Sequence, residues 1–220
     1  MRRGGRRRVG LRLATAPPST AAPKLLPSFA TVPGVAAFTT ARLTVEELDG
    51  SRLASVLPVY LSNLAYLELT EGSGGEAATY DLARLERDLA VAQMAPGRRV
   101  AALLLEPDRE VVGVLDWLDA HPEDGEAWIG LLMIHGDRQG DGLATEAFEG
   151  LAEHLRRDGR PAVRAAVIDR NEAGRGLVAK LGFVPVGEET LRLPGGPERL
   201  VVYELGLDQS GVASIKRSRP

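Results

Sequence analysis

The chain has 220 residues, of which 44% are hydrophobic, 26% charged and 5% aromatic, and its formal net charge is −3. These values are typical of one ordinary soluble domain of mixed secondary structure. Because the chain contains no cysteine, disulfides, thiolate metal ligands and covalent catalysis through sulfur are excluded.

The charge is unevenly distributed along the chain. Residues 1–35 carry seven basic side chains and residues 209–220 carry three, and neither segment contains an acidic one. Residues 36–208 therefore hold 17 of the 27 basic residues and all 30 acidic ones, a formal charge of −13. Such a field repels nucleic acid and acidic lipid and favours cationic partners. We expect a disordered basic tail at 1–35, a single domain at 36–208 and a basic tail at 209–220.

Location and metal binding are also limited by the sequence. No apolar run approaches the length of a membrane span, and Arg12 interrupts the only apolar stretch behind the first arginines, which argues against an export signal. The histidines His121, His135 and His154 do not have the spacing of a zinc pair. We therefore expect a cytoplasmic protein without a metal and without a nucleic-acid or membrane partner.

The predicted elements begin with a strand at Ala36–Leu43. A helical region follows at Val45–Leu69, which Pro58 is expected to break or kink. A glycine-rich loop then leads to a helix at Thr79–Met94.

Three closely spaced strands come next, and their short connections indicate an antiparallel meander. After them the pattern alternates between helix and strand and ends in a hairpin. The predicted order is β-α-α-β-β-β-α-β-α-β-β, an α/β fold with a mixed, mostly antiparallel sheet and crossover helices near its middle. The predicted ranges are Val100–Leu105, Val111–Leu118 and Trp128–Ile134 for the meander, a helix ending at Gly159, a strand at Ala162–Ile168, a helix at Asn171–Leu181, and strands at Phe183–Leu193 and Glu198–Leu205.

The most informative segment joins the third meander strand to an amphipathic helix through Gly136, Gly140 and Gly142. The unpaired amides of a first helical turn, together with the helix dipole, form an anion site suited to a phosphate or diphosphate. A Walker loop fits poorly because its spacing and lysine are missing. A dinucleotide fingerprint fits poorly because the segment follows four strands instead of one. A nucleotide-binding protein that uses the same turn stays open as an alternative.

Two motifs in this part of the chain resemble those of the GNAT acetyltransferase superfamily. The run Gln139-Gly140-Asp141-Gly142-Leu143-Ala144 meets the acyl-coenzyme A loop pattern Gln/Arg-x-x-Gly-x-Gly/Ala. The run Asn171-x-x-Gly174-x-x-Leu177-Val178-Ala179-Lys180-Leu181-Gly182-Phe183 is similar to the second signature, Asn-x-x-Ala-x-x-Leu-Tyr-x-Lys-x-Gly-Phe. The order of elements from Ala36 to Leu205 fits the family as well.

The resemblance implies a site for acetyl-coenzyme A. The backbone of Leu132, Met133 and Ile134 would pair with the pantetheine arm, because in this family that strand splays from the next one. Asn171 would contact the cofactor near the pantetheine. The diphosphate would be held by the backbone amides of Gln139, Gly140, Asp141, Gly142, Leu143 and Ala144.

Two positions depart from the family pattern. The tyrosine that usually protonates the leaving thiolate falls on Val178, which has no proton to donate. A water, or another hydroxyl such as that of Tyr203, would have to donate the proton instead. Gly136 replaces a common proline, and we expect this change to have little chemical consequence.

Without cysteine, direct attack of the acceptor on the bound thioester is the economical mechanism. A primary amine is mostly protonated at neutral pH, so a base must first remove a proton. Glu126 is the first candidate because strand alternation places it on the same face as Gly130 and Leu132. Asp116 is the second, and each is otherwise a solvated strand-end carboxylate.

The three histidines add little to this assignment. His135 follows the strand directly and is either a titrating group or a loop histidine packed under the cofactor. His154 is expected to be exposed, and His121 gives no signal.

In this family the first two helices, their loop and the last hairpin form the acceptor pocket. Here these segments carry carboxylates and aromatic rings, which would suit a cationic small-molecule or peptide amine or are otherwise ordinary solvated helix faces. The residues are Glu46, Glu47, Asp49, Glu68, Glu71, Glu76, Tyr60, Tyr66 and Tyr80.

The sequence thus predicts an N-acetyltransferase that moves an acetyl group from acetyl-CoA to a primary amine in a ternary complex, with a homodimer as one option. A non-catalytic acyl-CoA binding or sensing module is the alternative, because of Val178.

Overall fold

The structure is a computed structural model that describes residues 36–71, 79–193 and 196–207. The predicted basic tails at 1–35 and 209–220 lie outside these described residues. The strands are β1 Ala36–Thr39, β2 Leu43–Glu47, β3 Arg98–Leu105, β4 Glu110–Leu118, β5 Ala127–Ile134, β6 Ala162–Ile168, β7 Val184–Leu193 and β8 Gly196–Gly206. The helices are α1 Leu53–Leu61, α2 Leu64–Glu71, α3 Leu82–Gln93, α4 Leu143–Arg157 and α5 Glu172–Lys180.

The described strands form one sheet in the order β1-β2-β3-β4-β5-β6-β8-β7. Within that sheet β5 and β6 run parallel, and each other neighbouring pair is antiparallel. The predicted fold class, a mixed and mostly antiparallel α/β sheet with crossover helices, is confirmed. The parallel pair at the centre follows from the crossover, since α4 connects β5 to β6.

The N-terminal prediction of one strand followed directly by a helix is wrong. The chain forms a hairpin of β1 and β2, closed where the Thr40 amide donates to the Leu43 carbonyl at 2.8 Å. Val45 is fully buried in β2, which pairs with β3. The residues predicted to start a helix therefore form their backbone hydrogen bonds within the sheet, and α1 begins only at Leu53.

Pro58 does not break the first helix as predicted. It lies inside α1, and the helix ends three residues later at Leu61, after which the Ser62 amide donates to the Pro58 carbonyl. A proline in a helix removes the hydrogen bond to the carbonyl four residues before it, here that of Ala54. Because Ala54 and Pro58 are both exposed, that carbonyl can bond to water, and the break falls at Ser62 and Asn63.

Two hydrophobic cores cover opposite faces of the sheet. On one face α4 and the end of α5 pack over the central strands, with Phe148 and Phe183 in ring contact at 5.3 Å. On the other face α1, α2 and α3 pack over β3, β4 and β5, around Val56, Val59 and Leu85. Side chains of β5 therefore pack into one core on the α4 side of the sheet and into the other core on the α1 side.

Candidate active site

β5 and β6 separate halfway along their length. They pair at Ala127–Ile129 with Val163–Ala165, and beyond Ile129 β5 continues to Ile134 beside β4 alone. β6 meanwhile continues beside β8 to Ile168. The result is a V-shaped opening whose β5 edge is formed by the backbone from Gly130 to Ile134, which includes the predicted Leu132 and Met133.

The opening begins at a β-bulge. Asp116 pairs with Leu131 and Trp117 pairs with Ile129, which leaves Gly130 as the extra residue of β5. The bulge reverses the alternation of side chains, because Ile129 and Leu132 both pack on the α4 side whereas Leu131 packs on the α1 side. The expectation that Glu126 shares a face with Leu132 is therefore wrong.

The loop after β5 ends in two glycines with left-handed backbone. Gly140 has φ +90° and Gly142 has φ +80°, a conformation that costs other residues roughly 1–2 kcal/mol. A Cβ at Gly140 would meet nothing within 4 Å, and one at Gly142 would meet only the Arg42 guanidinium at 3.8 Å. These glycines are therefore required by the turn and leave its outer side open.

This turn presents a row of unpaired backbone amides. Within the described part of the chain the amides of Gly140, Asp141 and Gly142 donate no hydrogen bond. Those of Leu143 and Ala144 are first-turn amides of α4, which have no partner within the helix. Gln139 differs, since its amide donates to the Gly136 carbonyl at 3.3 Å. Five of the six amides predicted to hold a diphosphate are thus free to do so.

The carbonyl of Ile134 is already engaged. It accepts from Asn63 Nδ2 at 3.0 Å and from Gln139 Nε2 at 3.1 Å. Sequence reasoning missed Asn63 because it belongs to neither motif and lies 71 residues from Ile134. Of the three predicted strand residues, Leu132 keeps both backbone groups on the open edge. Those of Met133 face its partner Val114 in β4, because the His135 amide donates to the Val112 carbonyl and hydrogen-bonded pairs alternate along an antiparallel ladder.

Asn171 begins α5 as its N-cap. Its Oδ1 accepts from the Gly174 amide at 3.0 Å, and its Nδ2 has no partner among the described residues. A Cβ on Gly174 would lie 2.7 Å from that Nδ2, which explains the absence of a side chain there. The free Nδ2 is the group of Asn171 that can contact a ligand.

The residues considered for proton donation lie on the α4 and α5 face of the sheet. Val178 is buried in that core, where it offers only hydrocarbon. Tyr203, partly buried on the same face, pairs across β6 with Ala165, which pairs with Ile129. Two strand spacings, roughly 10 Å, therefore separate its backbone from the point where the V opens. Its hydroxyl has no hydrogen-bond partner in the described part of the chain.

The two carboxylate candidates lie in different places. Glu126 precedes β5 and lies on the closed side of the V, with its Oε2 buried and without a hydrogen-bond partner in the described structure. Asp116 lies at the bulge, with its carboxylate carbon 3.2 Å from the position of a Cβ on Gly130. It accepts bidentate hydrogen bonds from Arg98 at 2.9 Å and 2.6 Å, and this pairing raises the pKa of Arg98.

The histidines have structural contacts. His135 Nδ1 accepts from the Asp137 amide at 3.3 Å in the turn after β5. His154, predicted to be exposed, instead stacks on Phe38 with the ring centroids 5.5 Å apart. His121 is buried beside Trp128, at 5.7 Å between centroids.

On the α1 face, two of the three predicted tyrosines come together. Tyr60 and Tyr80 stack with their centroids 5.3 Å apart, and Tyr80 donates to Asp88 Oδ2 at 2.9 Å. Burial raises the pKa of Tyr60, and the nearby Asp116 carboxylate adds to this. The Tyr60 hydroxyl therefore stays protonated at neutral pH and is a hydrogen-bond donor near the bulge.

Several of the acidic residues predicted for the acceptor pocket are paired elsewhere. Glu46 is buried and bonded to Arg52 and Arg109. Glu47 pairs with Arg99, and Asp49 caps the turn before α1 by accepting from the Ser51 amide. Glu76 lies outside the described residues. Neighbouring arginines therefore compensate the charges of Glu46 and Glu47.

None of the helices in 36–71, 79–193 and 196–207 is long and apolar enough to cross a membrane. The same ranges contain no group of three or more His, Cys, Asp or Glu side chains that could hold a metal ion.

The family model of the GNAT acetyltransferase domain matches residues 42–184. Among solved structures, an acetyltransferase from Thermus thermophilus is 26% identical, with a TM-score of 0.57 over 76% of this chain and 98% of that one. RimJ from Mycobacterium smegmatis, in complex with CoA-disulfide, is 20% identical, with a TM-score of 0.63 over 82% of this chain and 93% of that one.

The acetyl transferase of Salmonella typhimurium that modifies the N-terminal serine of ribosomal protein L7/L12 is 18% identical, with a TM-score of 0.62 over 77% of this chain and 97% of that one. At such identities the likeness to it and to RimJ shows the fold alone. A comparison with functionally curated proteins gives no match.

The family match covers more than half of the chain, and it includes the whole of β5, the amide-bearing turn and α5. The chain therefore belongs to the GNAT family and is an acetyltransferase.

Proposed function

We propose that the protein transfers an acetyl group from acetyl-CoA to a primary amine by direct attack in a ternary complex. The observation that carries this proposal is the continuity of the V with the turn after it. The open edge of β5 leads into five unpartnered amides at the N-terminus of α4. An extended amide-containing arm that ends in a diphosphate fits both parts at once.

The residues present fit coenzyme A as follows. The backbone of Leu132 pairs with the pantetheine, and the Asn171 Nδ2, which follows β6 on the other side of the V, bonds to it. The amides of Gly140, Asp141, Gly142, Leu143 and Ala144 bind the diphosphate, aided by the α4 dipole. Bound acetyl-CoA supplies the activated acetyl group as a thioester.

Since the chain has no cysteine, the amine attacks the thioester without an acyl-enzyme step. Glu126 is the proposed base, because its buried Oε2 has no competing partner. It lies about four strand residues from Gly130, roughly 13 Å, so the proton reaches it through water. Asp116 is closer to the bulge, but both of its oxygens accept from Arg98, which favours a positioning role.

Tyr203 is the proposed acid in place of the tyrosine that Val178 replaces. Its hydroxyl is free, and it lies on the α5 face level with the start of the V. From this position it can donate a proton to the leaving thiolate.

The proposed acceptor is a small-molecule amine or a peptide N-terminus that enters from the α1 face. The named relative from Salmonella typhimurium acts on a protein N-terminus, which supports a peptide as one form of the acceptor. Tyr60, which is partly exposed and stacks on the buried Tyr80, provides an aromatic ring there for an amine.

A second candidate function is supported by Val178. A binding or sensing module for acyl-CoA would keep the V and the amides and would need no acid. It predicts tight coenzyme A binding without turnover of any amine.

The test combines thermal shift with thiol release. Acetyl-CoA should raise the melting temperature of the wild-type protein, and a panel of amines should yield at least one that releases free coenzyme A. Gly142→Glu should abolish the shift, because it places a strained residue and a negative charge at the diphosphate site. Gly176→Glu is the matched control, since Gly176 lies on the exposed side of α5 with nothing within 4 Å of a Cβ.

Stabilisation by nucleoside triphosphates and not by coenzyme A would overturn the proposal. Binding of coenzyme A without any turnover would favour the sensing module.

A further inference from the structure

The turn between α1 and α2 is bonded directly to the end of β5 and to the loop after it. Ser62 Oγ accepts from the Gly136 amide at 2.9 Å. Asn63 Nδ2 donates to the Ile134 carbonyl at 3.0 Å, and Asn63 Oδ1 accepts from Gln139 Nε2 at 2.8 Å. The α1–α2 turn, on the side from which the acceptor is proposed to enter, is therefore bonded to Ile134, Gly136 and Gln139. These three residues lie along the end of β5 and the loop proposed to bind the cofactor.

Asn63 has the central place in this contact. Its Nδ2 also donates to the Val59 carbonyl at 2.8 Å, inside α1. Gln139 Nε2 donates to the Ile134 carbonyl as well, at 3.1 Å. The side-chain amides of Asn63 and Gln139 thus both donate to the Ile134 carbonyl and are bonded to each other. With two donors, the Ile134 carbonyl has no acceptor capacity left.

Gly136 makes this contact possible. A Cβ at this position would lie 3.1 Å from the Ser62 carbonyl oxygen, and a proline would have no amide to donate to Ser62 Oγ. The glycine at 136 therefore has a structural role, and its small chemical consequence stays a prediction. It allows the backbone of the α1–α2 turn to approach the loop closely.

We propose that Asn63 is a positioning residue that fixes the end of β5 and the Gln139 side of the loop relative to the acceptor-side helices. The inference rests on the proposed function and adds that the cofactor and acceptor sites are mechanically joined at this one turn. Because Asn63 touches neither predicted ligand, its effect is transmitted through Ile134 and Gln139. Such a coupling is reciprocal, so each ligand should change the affinity for the other by the same factor.

The experiment compares Asn63→Ala, Gln139→Ala and the double variant with Gln93→Ala. Gln93 is a matched control, because its side-chain amide also donates to a main-chain carbonyl, that of Leu48, at 3.5 Å and away from the loop. Asn63→Asp serves as a second variant that keeps the acceptor for Gln139 and loses both donors. Calorimetry with acetyl-CoA is done at a temperature where every variant is folded.

We expect Asn63→Ala to raise the Kd for acetyl-CoA about tenfold and Gln93→Ala to leave it unchanged at a similar melting temperature. The double variant should bind acetyl-CoA no less tightly than the single variant with the lower affinity, because both substitutions remove the same hydrogen-bond network. In the ligand-free protein, hydrogen exchange at the Gly136 amide should accelerate in Asn63→Ala. A Kd within twofold of wild type, additive single effects or unchanged exchange would each overturn the inference.

Failure of the wild-type protein to bind acetyl-CoA would overturn the proposed function. The exchange measurement would still decide whether Asn63 holds the loop.

Discussion

The hydroxyl of Tyr203 is the residue-scale feature on which the proposed chemistry depends most. Tyr203→Phe should lower kcat by about 10²-fold or more, the usual worth of a positioned acid, and leave the KM for acetyl-CoA unchanged. The melting temperature should change little, because the hydroxyl has no partner in the described structure. Steady-state kinetics and thermal unfolding on the same preparation check this, and an unchanged kcat would show that water protonates the thiolate.

Motifs of consecutive residues revealed the loop glycines and Asn171, because a turn and a helix cap are determined locally. They could not reveal Asn63, whose partners lie 71 and 76 residues away. A polar residue between Leu61 and Leu64 signals the end of a helix and nothing more. Contacts of this kind depend on the packing of α1 against β5, which no spacing in the sequence encodes.

At the scale of the elements, the bulge in β5 decides which side chains face each core. Gly130→Ala would place a Cβ 3.2 Å from the Asp116 carboxylate, and the ion pair with Arg98 limits how far that carboxylate can move. We expect kcat/KM to fall at least tenfold while the circular dichroism spectrum stays native. Gly187→Ala in β7, with nothing within 4 Å of its Cβ, is the control and should leave kcat/KM unchanged.

The first turn of α4 is tied to the β1–β2 turn through Glu146. Its Oε1 accepts from Thr40 Oγ1 and from the Arg42 amide, both at 2.7 Å. Burial alone would raise the pKa of Glu146, but the hydrogen bonds from Thr40 and Arg42 outweigh it, and the pKa lies below its usual value. A lowered carboxylate pKa contributes stability above the unfolded-state pKa, and this contribution is lost as the pH falls through the folded-state pKa.

Glu146→Gln should therefore lower the free energy of unfolding by about 1–3 kcal/mol at pH 7. The difference from wild type should begin to shrink as the pH falls below the ordinary glutamate pKa of about 4.3, and it should vanish below the lowered pKa of folded Glu146. Denaturant unfolding over this pH range measures this. Glu149→Gln on the same helix should show neither effect, and a pH-independent difference for Glu146→Gln would contradict the assignment.

The meander and the helices after it were predictable because their apolar patterns are long and their turns are marked by glycine or proline. The N-terminal hairpin was not, since β1 and β2 have four and five residues, too few to show a period. The bulge at Gly130 was also invisible, because one extra residue changes a strand's geometry without changing its composition. The error about the face of Glu126 follows directly from that.

At the scale of the whole molecule, the charge of −13 over residues 36–208 and the local arginine pairs have opposite consequences. The pairs compensate Glu46 and Glu47 at short range, and the remaining acidic excess acts as a long-range field. With acetyl-CoA saturating, kcat/KM for a dicationic amine should fall several-fold between about 0.05 and 0.5 M salt. A neutral amine of similar size should show no such dependence, and equal slopes for both would contradict this role of the field.

The short β5–β6 ladder divides the sheet into two mechanical parts. Five strands lie on one side of it and three on the other, joined in the sheet by Ala127–Ile129 against Val163–Ala165. The ladder between β6 and β8, in contrast, runs from Ala162 to Ile168. Under a pulling force β5 and β6 should separate first. A ligand bound in the V would contact both strands and raise the force needed to separate them. Single-molecule stretching with and without the ligand would therefore report whether the V is occupied.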